Sequence, residues 1–289
     1  MRRADKRVSL LELLSVPGRD AASVREAVAR GADVNEASSG GFTPLMYAAL
    51  LNDDPVIVRT LLDGGADPDA RTETGVTALM WALLTETRDH TGRDVGALME
   101  RDARRRAAAM EILQSGTDVN AVCRSLRWPN WTPLHFAAME PDRNASLVSS
   151  LLTAGASPNV ETAEGVTPLM YAVQGDSSSA VHDLLTAGAN VNAESEQEGR
   201  QGWTPLFYAL AGARRSPPVV RELTLRGADV NHVTPNGVTP LLLAVCLGDN
   251  SALVSLLLEA GVKADAPGAL DCAKAKNHRR AVRLLERTT

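Results

Sequence analysis

The sequence predicts an all-α solenoid, in which short helix–turn–helix units stack one on another. Six segments begin with a threonine followed by Pro-Leu or Ala-Leu, at Thr43, Thr77, Thr132, Thr167, Thr204 and Thr239. Successive threonines are 34, 55, 35, 37 and 35 residues apart, so one supersecondary unit is used repeatedly. Between these anchor threonines, apolar residues recur at helical spacing and each run ends at a glycine.

The first helix of a unit is predicted from its threonine and proline. In the unit at Thr167, the threonine hydroxyl is expected to accept a hydrogen bond from a backbone N–H of the first helical turn. Pro168 suits the first helical position, because its missing N–H would have no partner there. Leu169 and Ala172 are then expected to face the stack, and the small alanine allows a second helix to approach closely.

The second helix is predicted from paired apolar residues that precede a glycine. Ala180, Val181, Leu184 and Leu185 share one face of a helix, and Gly188 is suited to the left-handed conformation that ends it. The same spacing leads to the glycines of the other units, at Gly65, Gly116, Gly155, Gly227 and Gly261. Every full unit is therefore expected to contain two antiparallel helices.

These motifs resemble the ankyrin repeat. Residues 131–138 run Trp-Thr-Pro-Leu-His-Phe-Ala-Ala, and Gly-Ala-Asp-Val-Asn occurs at 31–35 and again at 227–231. The resemblance covers nearly the whole chain and implies an ankyrin-repeat solenoid of about eight units, with β-turn or hairpin fingers that protrude from the helices. It also implies that His135, at the Leu-His step of the motif, is a structural hydrogen-bonding residue.

The repeats predict a single domain over residues 1–289. Its caps are 7–40 and 267–289, and its full repeats are 41–70, 71–122, 123–160, 161–193, 194–232 and 233–266. The spacing of 55 places an insertion at about 86–104 in the second full repeat. Asp94 is expected to cap one lengthened second helix from Val95 to Gln114.

Composition narrows the functional classes. The net charge of −5 and the mixing of arginines with acids argue against nucleic-acid binding. The sequence has no uninterrupted run of 18 apolar residues, so no membrane span is expected. Cys123, Cys246 and Cys272 are far apart and odd in number, so we expect reduced thiols in a reducing compartment and a cytoplasmic protein. The protein is expected to be monomeric on its own. The histidines and cysteines have no metal-ligand spacing, and neither a metal nor a cofactor is expected.

Aromatic residues are concentrated around the anchor threonines, which predicts a binding surface. The candidates are Phe42, Tyr47, Trp81, Trp128, Trp131, Phe136, Tyr171, Trp203, Phe207 and Tyr208. By the ankyrin resemblance, the residue four positions after the threonine lines a concave groove, and the residue just before it sits on a finger. These rings are either packing between first helices or anchors for a partner. The finger positions Phe42, Trp131 and Trp203 favour the second interpretation.

Five arginines are candidate basic contacts, and each also has a plainer interpretation. Arg101 and Arg105 lie on the lengthened helix, which is either a solvated face with local ion pairs or a contact element beside the groove. Arg200, Arg214 and Arg215 could form a basic rim for an acidic partner segment, or they could be ordinary surface residues.

The sequence favours a non-catalytic interaction module that binds a protein partner in its aromatic groove, as an adaptor or as an inhibitor or immunity-type protein. No catalytic residues are assigned. The alternative is an enzyme or small-molecule binder that uses the groove beside the insertion as a pocket. The polar residues available for that alternative are His90, His135, Asp89 and Glu140.

Overall fold

A computed structural model of the chain describes residues 9–16, 18, 20–52, 54–84, 95–212, 214–248, 250–264 and 267–288. These residues form sixteen α-helices, one π-helical segment and two isolated β-bridges. They fall into two compact units, Met1–Ala137 with Thr153–Ala156 and Ala138–Leu152 with Ser157–Thr289. The predicted all-α class is confirmed. The single domain over residues 1–289 remains a prediction.

The first compact unit holds the N-terminal helical pair and the first two full repeats, and it ends within the third. Its helices are α1 (Leu10–Leu14), α2 (Ala21–Ala29), α3 (Pro44–Tyr47), α4 (Pro55–Asp63), α5 (Ala78–Leu83), α6 (Val95–Gln114) and most of α7 (Pro133–Met139). A π-helical segment, Ala48–Asn52, directly follows α3. The lengthened helix predicted from Val95 to Gln114 is confirmed as α6, whereas Asp94 and the insertion before it lie outside the described residues.

The second compact unit holds the remaining helical pairs. Its helices are α8 (Pro141–Thr153, apart from its last residue), α9 (Pro168–Gln174), α10 (Ser178–Thr186), α11 (Pro205–Ala211), α12 (Pro217–Leu225), α13 (Pro240–Cys246), α14 (Ser251–Glu259), α15 (Ala269–Ala275) and α16 (Arg279–Thr288). First helices pack on first helices and second helices on second helices, as in the pairs α9 with α11 and α12 with α14. The core lies between these layers: Ala180, Val181 and Leu184 of α10 have no exposed surface.

The anchor threonines begin the first helices in two different ways. Thr43, Thr77 and Thr239 accept hydrogen bonds through their hydroxyls from the N–H three residues later, at 3.2–3.4 Å. The prediction that the Thr167 hydroxyl accepts such a hydrogen bond is wrong, because the N–H of Met170 donates instead to the Thr167 carbonyl, at 3.1 Å. Thr167 keeps the N-cap position, but its buried hydroxyl has no partner among the described residues.

A ladder of side-chain amides joins the turns of consecutive repeats. In the first repeats, Asn35 donates to the carbonyl of Gly65 at 2.9 Å and accepts from the N–H of Asp67 at 2.8 Å. Gly65 has a φ of 88°, the left-handed conformation predicted for the residue after a second helix. The same donor contact recurs from Asn120, Asn159, Asn192 and Asn231 to the glycines at 155, 188, 227 and 261. These hydrogen bonds fix the spacing of neighbouring repeats within each compact unit.

The three cysteines do not all remain reduced, so that prediction is wrong. Cys246 of α13 and Cys272 of α15 form a disulfide, with their Cα atoms 5.8 Å apart. They are 26 residues apart in sequence, but neighbouring first helices bring them together in space. Cys123 is free and buried, and its thiol lies 3.3 Å from the Ser125 hydroxyl.

His135 has a structural role, and its removal should destabilise the first compact unit. The side chain is fully buried, and its Nδ1 lies 3.2 Å from the N–H of Thr132 and 2.9 Å from the Thr132 hydroxyl. His135→Ala should lower the free energy of unfolding by about 2 kcal/mol, because it leaves a void and unpaired polar groups.

The chain itself offers a matched control for this substitution. Methionine occupies the equivalent position in three repeats, at Met46, Met80 and Met170. His135→Met should therefore fill the space and cost only about 1 kcal/mol, the loss of the hydrogen bonds. Urea unfolding monitored by circular dichroism measures both values, and equal losses would contradict the hydrogen-bonding role.

Candidate functional site

The fingers between helical pairs come in two lengths. A short finger closes with a hydrogen bond between residues four apart, as from the Thr72 N–H to the Val76 carbonyl at 3.0 Å. The two long fingers, Cys123–Trp131 and Ser195–Trp203, each close with an antiparallel β-bridge. Neighbouring fingers also bond to each other, since the Glu196 N–H donates to the Glu164 carbonyl at 2.8 Å. The finger edge is therefore held in register by main-chain contacts.

An aromatic pair recurs where a finger meets its first helix. The residue before the anchor threonine packs on the residue four positions after it in three repeats. Ring centroids are 5.5 Å apart for Phe42 and Tyr47, and 5.0 Å apart for Trp131 and Phe136. They are 5.6 Å apart for Trp203 and Tyr208. We call the surface formed by the fingers and these first-helix positions the finger face of each compact unit.

The finger face of the first compact unit has two ring clusters. In one, Phe42 packs on both Tyr47 and Trp81, with a centroid distance of 5.3 Å to Trp81, and all three rings are half-buried. The Trp81 indole Nε1 is buried and has no hydrogen-bond partner within the described part of the chain. The cluster leaves aromatic surface accessible at the base of the first finger.

The second cluster lies under the long finger Cys123–Trp131. Trp128 packs edge-on against Phe136 at 5.5 Å, and the Arg127 guanidinium lies 4.7 Å from the Trp128 ring centroid. Phe136 is buried and Trp131 nearly so, whereas Trp128 is half-buried. Leu126, at the tip of the finger, has an exposed fraction of 104%. Sequence reasoning missed Leu126, although a leucine between polar residues in a finger was available as a signal.

In the second compact unit, the finger face is organised around Arg200. Its guanidinium lies 5.2 Å from the Trp203 centroid and 5.1 Å from the Tyr208 centroid. Tyr208 is only 2% exposed, and its hydroxyl donates to the Gln197 Oε1 at 3.1 Å and lies within hydrogen-bond distance of the Ser195 hydroxyl, at 3.0 Å. Trp203 stays half-buried beside these residues. The predicted basic contact Arg200 is thus held on an aromatic surface.

Tyr171 lies close to this group. Burial raises the pKa of its phenol above the ordinary value, and the negative charge of Glu164 raises that pKa further, whereas Arg200 lowers it. The ring is half-buried, and the phenol stays protonated at neutral pH. Glu164 and Arg200 therefore both lie within electrostatic range of the same aromatic side chain.

Finger length decides which first-helix rings are buried. Tyr47, Trp81 and Tyr171 follow short fingers and are half-buried, whereas Phe136 and Tyr208 follow long fingers and are buried. At Tyr208 the cause is visible, because its hydroxyl forms hydrogen bonds with two residues of the long finger. Phe207, which packs against Trp203 and His232, is also fully buried. These buried rings support the finger face from beneath.

The other candidate arginines occupy different environments. Arg105 is buried and donates to the carbonyls of Leu84 at 2.9 Å and Leu50 at 3.1 Å. Arg215 donates to the Leu247 carbonyl at 2.7 Å. Arg101 is half-buried and Arg214 is exposed. Two of the five candidates therefore bind ends of first helices, where carbonyls lack partners within the helix.

The described residues contain no group of three or more histidine, cysteine or acidic side chains that could hold a metal ion. Within the same residues, no helix is long and apolar enough to cross a bilayer. Of the polar residues considered for catalysis, His90 and Asp89 lie outside the described residues, His135 is buried against Thr132, and Glu140 is half-buried at the end of α7.

Stacked helical pairs, glycine-ended second helices and protruding fingers define a helical repeat protein with a finger face on each compact unit. The family model for ankyrin repeats in three copies matches residues 13–91, 103–195 and 134–231, and the single ankyrin-repeat model matches 236–272. The chain belongs to the ankyrin-repeat family. Ankyrin repeats generally mediate protein–protein interaction. A search of curated proteins found no match to this chain.

Proposed function

We propose that this protein is a non-catalytic interaction module that binds a protein partner through its finger faces. The observation that supports this most directly is the set of half-buried rings beside the fingers, Phe42, Tyr47, Trp81, Trp128, Tyr171 and Trp203. Large aromatic side chains contribute most of the affinity in many protein interfaces, because they bury much surface at little cost in conformational entropy. An adaptor and an inhibitor or immunity-type protein are both forms of this function.

The buried rings Trp131, Phe136, Phe207 and Tyr208 have a supporting role in the proposal. Direct contact with a partner requires an accessible side chain, and these four are at most 8% exposed. They fix the first helices and the finger bases on which the accessible rings lie. The catalytic alternative is not proposed, since no described residue pair favours it and His135 is committed to Thr132.

The cytoplasmic location was predicted from three unpaired thiols, and the disulfide removes that support. Disulfides such as Cys246–Cys272 form and persist in oxidising environments and are rare in the cytosol. The proposed binding function does not depend on the compartment, and we propose it for the monomeric chain.

Substitutions at one accessible ring in each compact unit test the proposed function. The wild-type protein and the variants Phe42→Ala and Trp203→Ala would be immobilised, and proteins retained from an extract of the native host would be quantified by mass spectrometry. A stoichiometric partner should lose about 30-fold in affinity for at least one variant, because a hot-spot ring contributes about 2 kcal/mol.

Leu225→Ala is the matched control for these ring substitutions. Leu225 is 76% exposed on α12, a second helix, and so it is not part of the finger face. The control should retain the partner fully, and circular dichroism should show all variants folded. A partner that binds both ring variants as tightly as wild type would disprove the proposed surface.

A further inference from the structure

The fingers of the second compact unit carry a local excess of acidic side chains. Five exposed glutamates lie on or beside two neighbouring fingers, at Glu161, Glu164, Glu194, Glu196 and Glu198. Glu194 lies 4.0 Å from His232, and the other four form no ion pair with any residue in the described ranges. The fingers of the first compact unit carry fewer acids, since Thr72–Val76 has one glutamate, Glu73, and Cys123–Trp131 has none.

These five glutamates, which we call the acidic edge, lie beside the aromatic rings that contact the Arg200 guanidinium. Arg200 lies over Trp203 and Tyr208 at distances typical of cation–π contacts. Trp203 and Tyr171 remain half-buried, and Glu164 is close enough to influence the phenol of Tyr171. Arg200 thus shows that a guanidinium group can lie against the rings of this surface.

The two fingers that carry these glutamates are also joined to each other through their main chains. The hydrogen bond from the Glu196 N–H to the Glu164 carbonyl joins them. Gly165 fits against this junction, because a Cβ there would lie 3.1 Å from the Glu194 carbonyl oxygen and the Glu196 nitrogen. The main chain that carries the glutamates is therefore held in one register beside the rings, which favours an extended segment that runs along the two fingers.

From this charge complementarity we propose that the finger face of the second compact unit binds an extended arginine-containing segment of a partner protein. The inference rests on the proposed function and names the class of its partner. Arginine side chains of the segment would pair with the free carboxylates, and one would stack on Trp203. Arg200 occupies part of this aromatic surface in the unbound protein and competes with the segment.

A defined peptide tests the inference with the full chain. The probe is a fluorescein-labelled octapeptide of alternating arginine and serine, and the comparison peptide has glutamate in place of arginine. Binding is measured by fluorescence anisotropy at low and at physiological salt. The arginine peptide should bind and weaken with salt, whereas binding of the glutamate peptide would overturn the inference.

Two variants with equal changes of charge separate a site from general attraction. The site variant replaces Glu161, Glu164, Glu196 and Glu198 with glutamine and should weaken arginine-peptide binding by about tenfold, since small contributions of exposed ion pairs add along one edge. The control variant makes the same charge change at exposed acids elsewhere, as amides at Glu12, Asp63, Glu259 and Asp271. Equal weakening by both variants would overturn the proposed site.

Arg200 gives a test of opposite sign. Arg200→Gln should tighten binding of the arginine peptide by about threefold, because it frees the face of Trp203 for the incoming cation. Arg214→Gln removes the same charge from an exposed position and should change affinity less. Unchanged or weaker binding by Arg200→Gln would show that the rings do not receive the segment and would overturn the proposed mode.

The inference can fail without the proposed function failing. A retained partner that is lost by Trp203→Ala but unaffected by the four glutamine substitutions would overturn the basic segment and leave protein binding intact. A retained partner unaffected by both Phe42→Ala and Trp203→Ala would disprove the proposed function, whatever the peptide does.

Discussion

Arg105→Met is expected to lower the free energy of unfolding of the first compact unit by about 4 kcal/mol. The Arg105 guanidinium is buried, and its two terminal nitrogens donate to the carbonyls of Leu84 and Leu50. Methionine preserves most of the apolar stem and removes both donors. The two partly buried carbonyls would then lose these charged donors, and each loss costs about 1–3 kcal/mol. Relief from burying a charge offsets part of that sum.

The position of Arg105 explains why one side chain has so large an effect. In four other repeats the residue three positions before the first buried pair of the second helix is the N-cap, namely Asp54, Ser177, Ser216 and Asn250. In α6 the helix begins ten residues earlier, at Val95, so Arg105 occupies that inward position within a helix. It reaches the ends of two successive first helices and ties the lengthened helix to both.

Arg104→Met is the control, because Arg104 is exposed on the same helix. Its substitution should change stability by less than about 0.5 kcal/mol. Arg105→Lys should recover only part of the loss, since one ammonium cannot match the two-pronged donor geometry. Urea unfolding with a probe in the first compact unit gives the values. A loss below about 1 kcal/mol for Arg105→Met would contradict the tethering role.

The repeat pattern made most of the fold predictable. The paired apolar residues and the glycines fix helix periods and helix ends locally. The start of α6 at Val95 was predicted from Asp94 as a candidate N-cap. The N-cap hydrogen bond at Thr167 failed because a carbonyl and a hydroxyl of the same residue compete for one N–H. That choice depends on small differences in backbone angle that residue identity does not encode.

The candidate site was less predictable, because exposure depends on neighbouring fingers. Tyr171 and Tyr208 occupy the same repeat position, yet the long finger before Tyr208 covers it. Finger length was present in the sequence, since 16 positions separate Gly188 from Thr204 and only 12 separate Gly155 from Thr167. The same spacing of 16 between Gly116 and Thr132 precedes the buried Phe136. That the glutamates of the acidic edge lack ion pairs within the described residues could be seen only from the positions of charged side chains in the fold.

The disulfide could not be predicted from spacing alone. Twenty-six residues separate Cys246 from Cys272, and only the alignment of α13 with α15 makes them neighbours. The disulfide would have been predictable if the alignment of neighbouring first helices had been known, because one half-buried position of each first helix faces the next repeat. That register follows from the stacking, which a single unit does not show.

Removing this disulfide is expected to weaken the C-terminal helical pair by about 3 kcal/mol, through the chain entropy of a 26-residue loop. The double variant Cys246→Ser, Cys272→Ser should speed amide hydrogen exchange in α15 and α16 by roughly 100-fold. The effect should be confined to the end of the second compact unit, because a repeat contacts only its neighbours. Cys123→Ala leaves the bridge intact and should leave that exchange unchanged.

Reduction of the wild-type protein should reproduce the effect of the double variant, since both Cys246 and Cys272 are half-buried and so accessible to a small thiol. The remaining contact of the terminal pair includes the hydrogen bond between His278 Nδ1 and the Val245 carbonyl, at 2.9 Å. That contact should hold α15 in place without the bridge, but with more frequent opening. Thiol titration of the unreduced, unfolded protein should find one free thiol, Cys123, and three would show that the bridge does not form.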